Sequence, residues 1–164
     1  MKRIFLAGAA LLALAAVSPA MADDVNGASA TGTAAVTIFT PITVTQTQGL
    51  DFGAITSGAA GDVSIDPNSG SRAVDGGVGA VAANVGQAGA FEVTGEANAA
   101  INVVVDSSIS GFAGGIKGVT KVSTLPTALN GTTAGFSVGG QLSIPAQTKA
   151  GKYSGTYTVA VNYP

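Results

Sequence analysis

The C-terminal residues alternate between two kinds of side chain, and this pattern constrains the fold more than any other feature. Aromatic and apolar residues, with one glycine, occupy every second position: Tyr153, Gly155, Tyr157, Val159, Val161 and Tyr163. The residues between them are small or hydroxylated. Because successive side chains of an extended chain point to opposite faces, the pattern predicts a strand with one apolar face. We expect this strand to seal a sheet or to pair with another chain.

The first residues of the chain have the organisation of a secretory signal. Lys2 and Arg3 precede an apolar run, residues 4–17, and a small-residue site that ends at Ala22. This order predicts a signal peptide, residues 1–22, that is cleaved after Ala22. The run is shorter than the roughly twenty residues that a spanning helix needs. We therefore expect an exported chain with no membrane span after cleavage, in the periplasm, at the cell surface or outside the cell.

Composition excludes several classes of function. The chain contains no Cys and no His, which excludes disulfides, thiolate metal sites and His-based catalytic triads. Without residues 1–22, five of the seven basic residues remain against nine acidic residues, a net charge of about minus four. A nucleic-acid partner is therefore not expected.

The rest of the chain predicts one all-β domain, residues 23–164. There are 24 Gly, and Thr, Val and Ala are abundant where helix formers are sparse. Alternating apolar runs recur along the chain, and turn residues separate them at 66–70 and at Asn130 and Gly131. We predict an immunoglobulin-like or pilin-like β-sandwich of about seven to ten antiparallel strands. A barrel stays open as an alternative, because a strand count does not exclude closure.

Two carboxylate pairs are candidates for catalysis. Asp62 with Asp66, and Glu92 with Glu96, are separated by four residues. That spacing brings side chains together on a helix, whereas these residues lie in predicted strands and turns. We therefore predict no enzymatic activity and no cofactor.

One polar cluster has the oxygen ligands that calcium prefers. Its members are Asp62, Asp66, Asn68, Ser69 and Asp75. The cluster has no recognised loop spacing, and we interpret these residues as turn formers. Whether a calcium ion is bound stays open.

Four segments, taken in order, resemble a family of secreted bacterial proteins known as domain of unknown function 4402. They are residues 34–45, 50–53, 91–96 and 150–163. The resemblance covers nearly the whole chain after the predicted signal. It implies a β-rich exported domain, and it implies no particular activity.

A second resemblance is to subunits of chaperone-usher fimbriae. Such pilins typically have a Gly fourteen residues from the C-terminus and a penultimate aromatic residue, which Gly151 and Tyr163 match. The Cys pair common in these pilins is absent, and the alternating N-terminal segment is weakly hydrophobic before Val36. This resemblance implies assembly by strand donation, with identical subunits or a periplasmic chaperone as partners.

These observations lead to one leading hypothesis. The chain is an exported, non-enzymatic structural or adhesive surface protein, a fimbria-like subunit in which an extended segment of one copy fills a groove in the next. The predicted donor residues are Ala30, Ala34, Val36 and Ile38. The predicted interface residues of the terminal strand are Tyr153, Tyr157, Val159, Val161 and Tyr163.

The alternative hypothesis belongs to a different class. In it, the chain is a self-contained periplasmic or extracellular module that binds a glycan or another surface ligand. The N-terminal strand then fills the protein's own sheet, and a monomer is stable.

Overall fold

The computed structural model describes residues 27–56 and 58–164. The chain divides into a first unit, Met1–Val36, and a compact unit, Thr37–Pro164. In the first unit the described residues, 27–36, are all exposed and none lies in a strand. The predicted signal peptide, residues 1–22 with cleavage after Ala22, lies outside the described residues. It stays a prediction, as does a domain that starts at residue 23.

The described part of the chain contains eleven β-strands and no helix. The strands are β1 (Thr43–Gln48), β2 (Ile55–Thr56), β3 (Gly61–Ile65), β4 (Arg72–Gly76), β5 (Gly79–Ala80), β6 (Gly89–Thr94), β7 (Asn102–Val105), β8 (Ser108–Ile109), β9 (Lys117–Val122), β10 (Thr133–Ile144) and β11 (Val159–Asn162). All strand pairs are antiparallel, and the all-β prediction is confirmed. The count exceeds seven to ten because β2, β5 and β8 have only 2 residues each. Within the described residues, no helix is long and apolar enough to cross a membrane.

Strand β10, with 12 residues, organises the larger sheet of 7 strands. The order is β1-β6-β10-β3-β4, and β9 pairs with both β10 and β8. Val138 pairs with β6 and β9 at once, and Gly140 pairs with β3 and β9 at once. Strands β6 and β3 must therefore follow one another along one edge of β10, while β9 occupies the other edge.

Two glycines lie where β10 passes from β6 to β3. A Cβ atom on Gly139 would collide with the carbonyl oxygen of Ile65, and its next contact would be the Pro67 nitrogen at 2.8 Å. A Cβ atom on Gly140 would lie 2.7 Å from the carbonyl oxygen of Val119. Both neighbouring backbones approach β10 too closely for any side chain, so glycine is required at this crossing.

A second layer covers one face of the larger sheet. Strand β7 pairs with β11, and the terminal chain continues this pairing through a bridge between Ser110 and Thr156. Two clusters of buried side chains form the core. The first consists of Val93, Ile101, Val103, Leu129, Phe136 and Val138, and the second of Val63, Val78, Ile109, Leu142 and Ile144. The first cluster joins β6 and β10 to β7, which is the packing of a sandwich.

Both predicted turns form as their residues require. The Asp66 carboxylate accepts hydrogen bonds from the backbone of Asn68 and Ser69, at 2.9 and 2.7 Å. Gly131 has a φ of 63°, in the left-handed region that glycine adopts readily. Turn chemistry was therefore readable from the sequence.

Two alternating segments are less regular in the structure than their patterns indicate. The alternating residues 34–38 lie in no strand, and the first strand begins at Thr43. The regular part of the terminal strand is only Val159–Asn162, because its partner strand β7 ends at Val105. Before Val159 the terminal chain pairs through an isolated bridge between Thr156 and Ser110. Alternation predicts which face a side chain occupies, but a strand also needs a neighbour to pair with.

The crossing in β10 gives a test with an internal control. Replacing Gly139 by Ala forces the Ile65 backbone away, and we expect the free energy of unfolding to fall by about 2 kcal/mol or more. Gly135→Ala in the same strand should have little effect, because its Cβ would have the Phe91 carbonyl oxygen at 3.6 Å as its nearest contact. Urea denaturation measures both variants. Equal stabilities would contradict the assigned role of the crossing.

Candidate functional site

The C-terminal residues 151–163, here called the terminal segment, have one face in the core and one face in solvent. The odd-numbered residues from Tyr153 to Tyr163 are half-buried, and the even-numbered ones are exposed. Tyr157 packs against both core clusters, and Val159, Val161 and Tyr163 pack against the first. The alternation in the sequence thus marks the core face of the terminal segment.

The terminal segment is paired along only one of its edges. The backbone of Thr156 exchanges two hydrogen bonds of 2.8 Å with Ser110, and the carbonyl of Thr158 accepts one of 2.9 Å from Asp106. In an extended chain the backbone groups of the intervening residues point to the opposite edge. In the part of the chain that the structure describes, Gly155 and Tyr157 make no backbone hydrogen bond. This edge of the terminal segment is therefore free.

Two adjoining cavities lie along the free edge, and we call them together the edge groove. The larger, of about 600 Å³, lies between residues 151–155 and the loop at residues 50–55. The smaller, of about 510 Å³, lies between β1 and residues 155–159. They share Leu50, Gly155 and Tyr157 as lining residues. Because β1 is the last strand of the larger sheet on this side, the groove separates the edges of the two layers.

Tyr157 lies where the two cavities meet. Its ring packs edge-on against Phe91, with 6.1 Å between ring centroids. The absence of a side chain on Gly89 makes room for the hydroxyl, since a Cβ there would lie 2.9 Å from it. This hydroxyl is buried and has no hydrogen-bond partner among the described residues. Burial raises the pKa of Tyr157, and the nearby Gln46 side chain lowers it by less, without reaching hydrogen-bonding geometry.

A group of polar contacts, here called the Tyr163 cluster, joins the two ends of the compact unit. The Tyr163 hydroxyl donates to the carbonyl of Thr40 at 2.8 Å and accepts from the backbone N–H of Glu96 at 2.7 Å. The N–H and hydroxyl of Thr40 donate to the Glu96 carboxylate, at 2.9 and 2.7 Å. The Phe39 ring lies 5.2 Å from the Tyr163 ring, and a Cβ on Gly95 would collide with the hydroxyl. The chain before Phe39 therefore starts from a fixed point.

The predicted donor residues precede this point. Ala30, Ala34, Val36 and Ile38 are all exposed, and none lies in a strand of the described chain. Val36 is 83% exposed and Ile38 is 85% exposed, values that are unusual for large aliphatic side chains. We call residues 27–38 the extension. Their role as donors stays a prediction.

Among the described residues, the candidate carboxylates do not form one cluster. Asp66 lies in its turn, where hydrogen bonds from Ser69 and Asn68 lower the pKa of its carboxyl group. Asp62 and Asp75 lie opposite each other on β3 and β4, and Glu96 belongs to the Tyr163 cluster. Across residues 27–56 and 58–164 there is no group of three acidic, His or Cys residues that could hold a metal ion.

Sequence reasoning missed Arg72, which bonds to two residues that line the larger cavity, Ala54 and Asn84. Its guanidinium donates to the backbone carbonyls of Ala54, Asn84 and Val81, at 2.8, 2.7 and 2.9 Å. These bonds tie the loop after β1 to the loop before β6. Arg72 is the only Arg after residue 22. Its position as a lone basic residue in a Gly-rich stretch was the one sequence feature that could have indicated a structural role.

The structure thus defines a class: an all-β, sandwich-like domain with an open edge groove and an exposed N-terminal extension. The chain belongs to the family described as Domain of unknown function (DUF4402), whose profile matches residues 42–163. The family resemblance predicted from the sequence is confirmed, and the match covers the sandwich without the extension. A likeness to chaperone-usher pilins is not shown. No curated protein sequence and no solved structure matches the chain.

The Tyr163 hydroxyl can be tested by removing one oxygen atom. Tyr163→Phe leaves the Glu96 N–H and the Thr40 carbonyl without this partner, and we expect a loss of about 1–2 kcal/mol in the free energy of unfolding. Tyr153→Phe is the matched control, since it removes a single exposed hydrogen bond to the Lys149 carbonyl. Chemical denaturation of both variants measures the difference. Equal effects would contradict a special role for the Tyr163 cluster.

The same cluster predicts a pH dependence. The hydrogen bonds from Thr40, the hydroxyl first and the N–H second, hold the pKa of Glu96 below its ordinary value of 4.5. A carboxyl group with a lowered folded-state pKa stabilises the fold above that ordinary value, and this contribution is lost as the pH falls through the lowered pKa. The stability difference between the wild type and Glu96→Gln should therefore shrink between pH 7 and pH 3, as measured by denaturation. A difference that is constant over this range would contradict the assignment.

Proposed function

We propose that this protein is an exported, non-enzymatic structural protein of the cell surface, a fimbria-like subunit assembled by strand donation. The extension of one copy fills the edge groove of the next copy. The observation on which this proposal rests is the free backbone edge at Gly155 and Tyr157, which borders two open cavities.

A free sheet edge attracts an added strand, because its unpaired N–H and C=O groups form hydrogen bonds with any extended chain. Here the edge also borders apolar surface. Val63 and Leu142, both buried, contribute to the floor of the larger cavity. An added strand would pair with the backbone of the terminal segment and bury every second side chain against this floor.

The extension has the length and the pattern that this role requires. Its twelve or so residues span about 40 Å when extended, and the groove beside residues 151–159 needs about 30 Å. Val36 and Ile38 are exposed in the single chain. Burying each of them stabilises an assembly by about 1.5–3 kcal/mol. The assembly would therefore cover apolar side chains that a monomer leaves in water.

The predicted signal peptide supports this proposal from the sequence side. The predicted signal peptide, residues 1–22, would send the chain across the inner membrane, where a free edge needs protection before assembly. A periplasmic chaperone that covers the edge groove is therefore a proposed partner, together with identical subunits. An adhesive role on the cell surface is part of the same proposal.

The second candidate function is a self-contained binding module for a glycan or another surface ligand. The larger cavity favours it, because aromatic Phe52, Phe112 and Tyr153 lie there beside polar Asn84 and Lys152. Aromatic faces next to polar groups suit a sugar. Saturable glycan binding by a stable monomer would support this candidate.

Truncation separates the two functions. We expect residues 39–164 to fold, as seen by circular dichroism, but to stay monomeric, whereas residues 23–164 form a ladder in detergent electrophoresis that collapses on boiling. Val36→Asp with Ile38→Asp should abolish the ladder. The matched control, Ala35→Asp with Thr37→Asp, places the same charges on the opposite face of the extension and should retain it.

Two results would contradict strand donation. Polymers that form normally from residues 39–164 would exclude the extension as donor. A single monomer band from residues 23–164, with and without boiling, would shift the assignment to the binding module.

A further inference from the structure

We propose that the strand in the edge groove runs antiparallel to the terminal segment and comes from a second copy, with its Val36 and Ile38 over the larger cavity. This inference rests on the proposed function. It adds the direction and the register of the donated strand, as well as the reason why a chain does not fill its own groove.

The two ends of the groove differ in depth. The larger cavity, beside residues 151–155, reaches four side chains of the second core cluster, which are at most 7% exposed: Val63, Ile109, Leu142 and Ile144. The smaller cavity, beside residues 155–159, reaches no fully buried side chain: its apolar lining, such as Phe91 and Val159, is half-buried, and Gln46 and Val44 on it are exposed. A large aliphatic side chain therefore buries more apolar surface at the 151–155 end.

The side chains of the extension also differ in size between its two ends. On the face of the extension that carries Val36 and Ile38, the earlier positions are small: Ala28, Ala30, Gly32 and Ala34. If Val36 lies opposite Gly155, then Ile38 lies opposite Tyr153 and Ala34 lies opposite Tyr157. The small Ala34 then meets the ring of Tyr157, and the two large side chains cover the larger cavity. This match of sizes requires an antiparallel strand.

The Tyr163 cluster prevents a chain from making this arrangement with its own extension. Thr40 is hydrogen-bonded to Tyr163, so Ile38 of the same chain starts only about 7 Å from that end. Gly155 is eight residues before Tyr163, or about 26 Å along an extended chain. A chain's own extension would have to run parallel to the terminal segment, with Thr37 near Ala160. Val36 and Ile38 can reach the larger cavity only from another copy.

Disulfide trapping tests the direction, because the chain has no Cys of its own. In the antiparallel register, Thr37 of one copy lies opposite Ser154 of the next, and both side chains face solvent. We expect the variant with Thr37→Cys and Ser154→Cys, oxidised after assembly, to give a covalent ladder that survives boiling and disappears on reduction. The variant with Thr37→Cys and Ala160→Cys should give no such ladder. Thr37→Cys alone can give only covalent dimers and serves as the control.

The remaining outcomes separate the direction from the function. A covalent ladder only from the pair at positions 37 and 160 would mean that the donated strand runs parallel to the terminal segment. This result would overturn the antiparallel direction and leave assembly by strand donation intact. A fast-migrating monomer from that pair would show that a chain fills its own groove, which would overturn the inference and the proposed function together. No cross-link from either pair, with the heat-sensitive ladder intact, would overturn the register and the direction alone.

Discussion

Close backbone contact in the middle of β10 holds the two halves of the protein together. Before Gly139 the strand pairs with β6, after it with β3, and β9 occupies the other edge across the change. Its side chains contribute Phe136 and Val138 to the first core cluster, and Leu142 and Ile144 to the second. Neither cluster can shift without moving this strand, and therefore the position of the second layer also depends on the crossing.

The second layer covers the core but leaves one edge unpaired. Antiparallel pairing with β7 satisfies the backbone of the terminal segment on one side, and its half-buried odd-numbered side chains pack against the core. Nothing in the described residues pairs with Gly155 or Tyr157 on the other side, where β1 already pairs with β6. The burial of a face and the pairing of an edge are separate requirements. Here the first is met within the chain, and the proposed function supplies the second from another copy.

The sequence predicted the features that depend on local chemistry. Alternation identified the core face of the terminal segment, and the turn residues at Asp66 and Gly131 form the turns that their backbone preferences favour. The contacts of Tyr163 were not predictable, because the partners of its hydroxyl are distant in sequence: Thr40 lies 123 residues away. Residues 34–38 alternate in the sequence but form no strand, since alternation says nothing about whether a pairing strand is available.

The donor and acceptor surfaces of the proposed assembly are different parts of the molecule. A contact between two different surfaces is heterologous, and it repeats into an open filament unless its rotation closes a ring. The Tyr163 cluster favours the filament, since it holds the start of the extension at one end of the terminal segment while the larger cavity lies at the other end. Each copy then keeps a donor available to the next, because its own extension cannot cover its larger cavity with Val36 and Ile38. One tyrosine hydroxyl, bonded to Thr40 and Glu96, thus connects the stability of a single domain to the direction in which copies would assemble.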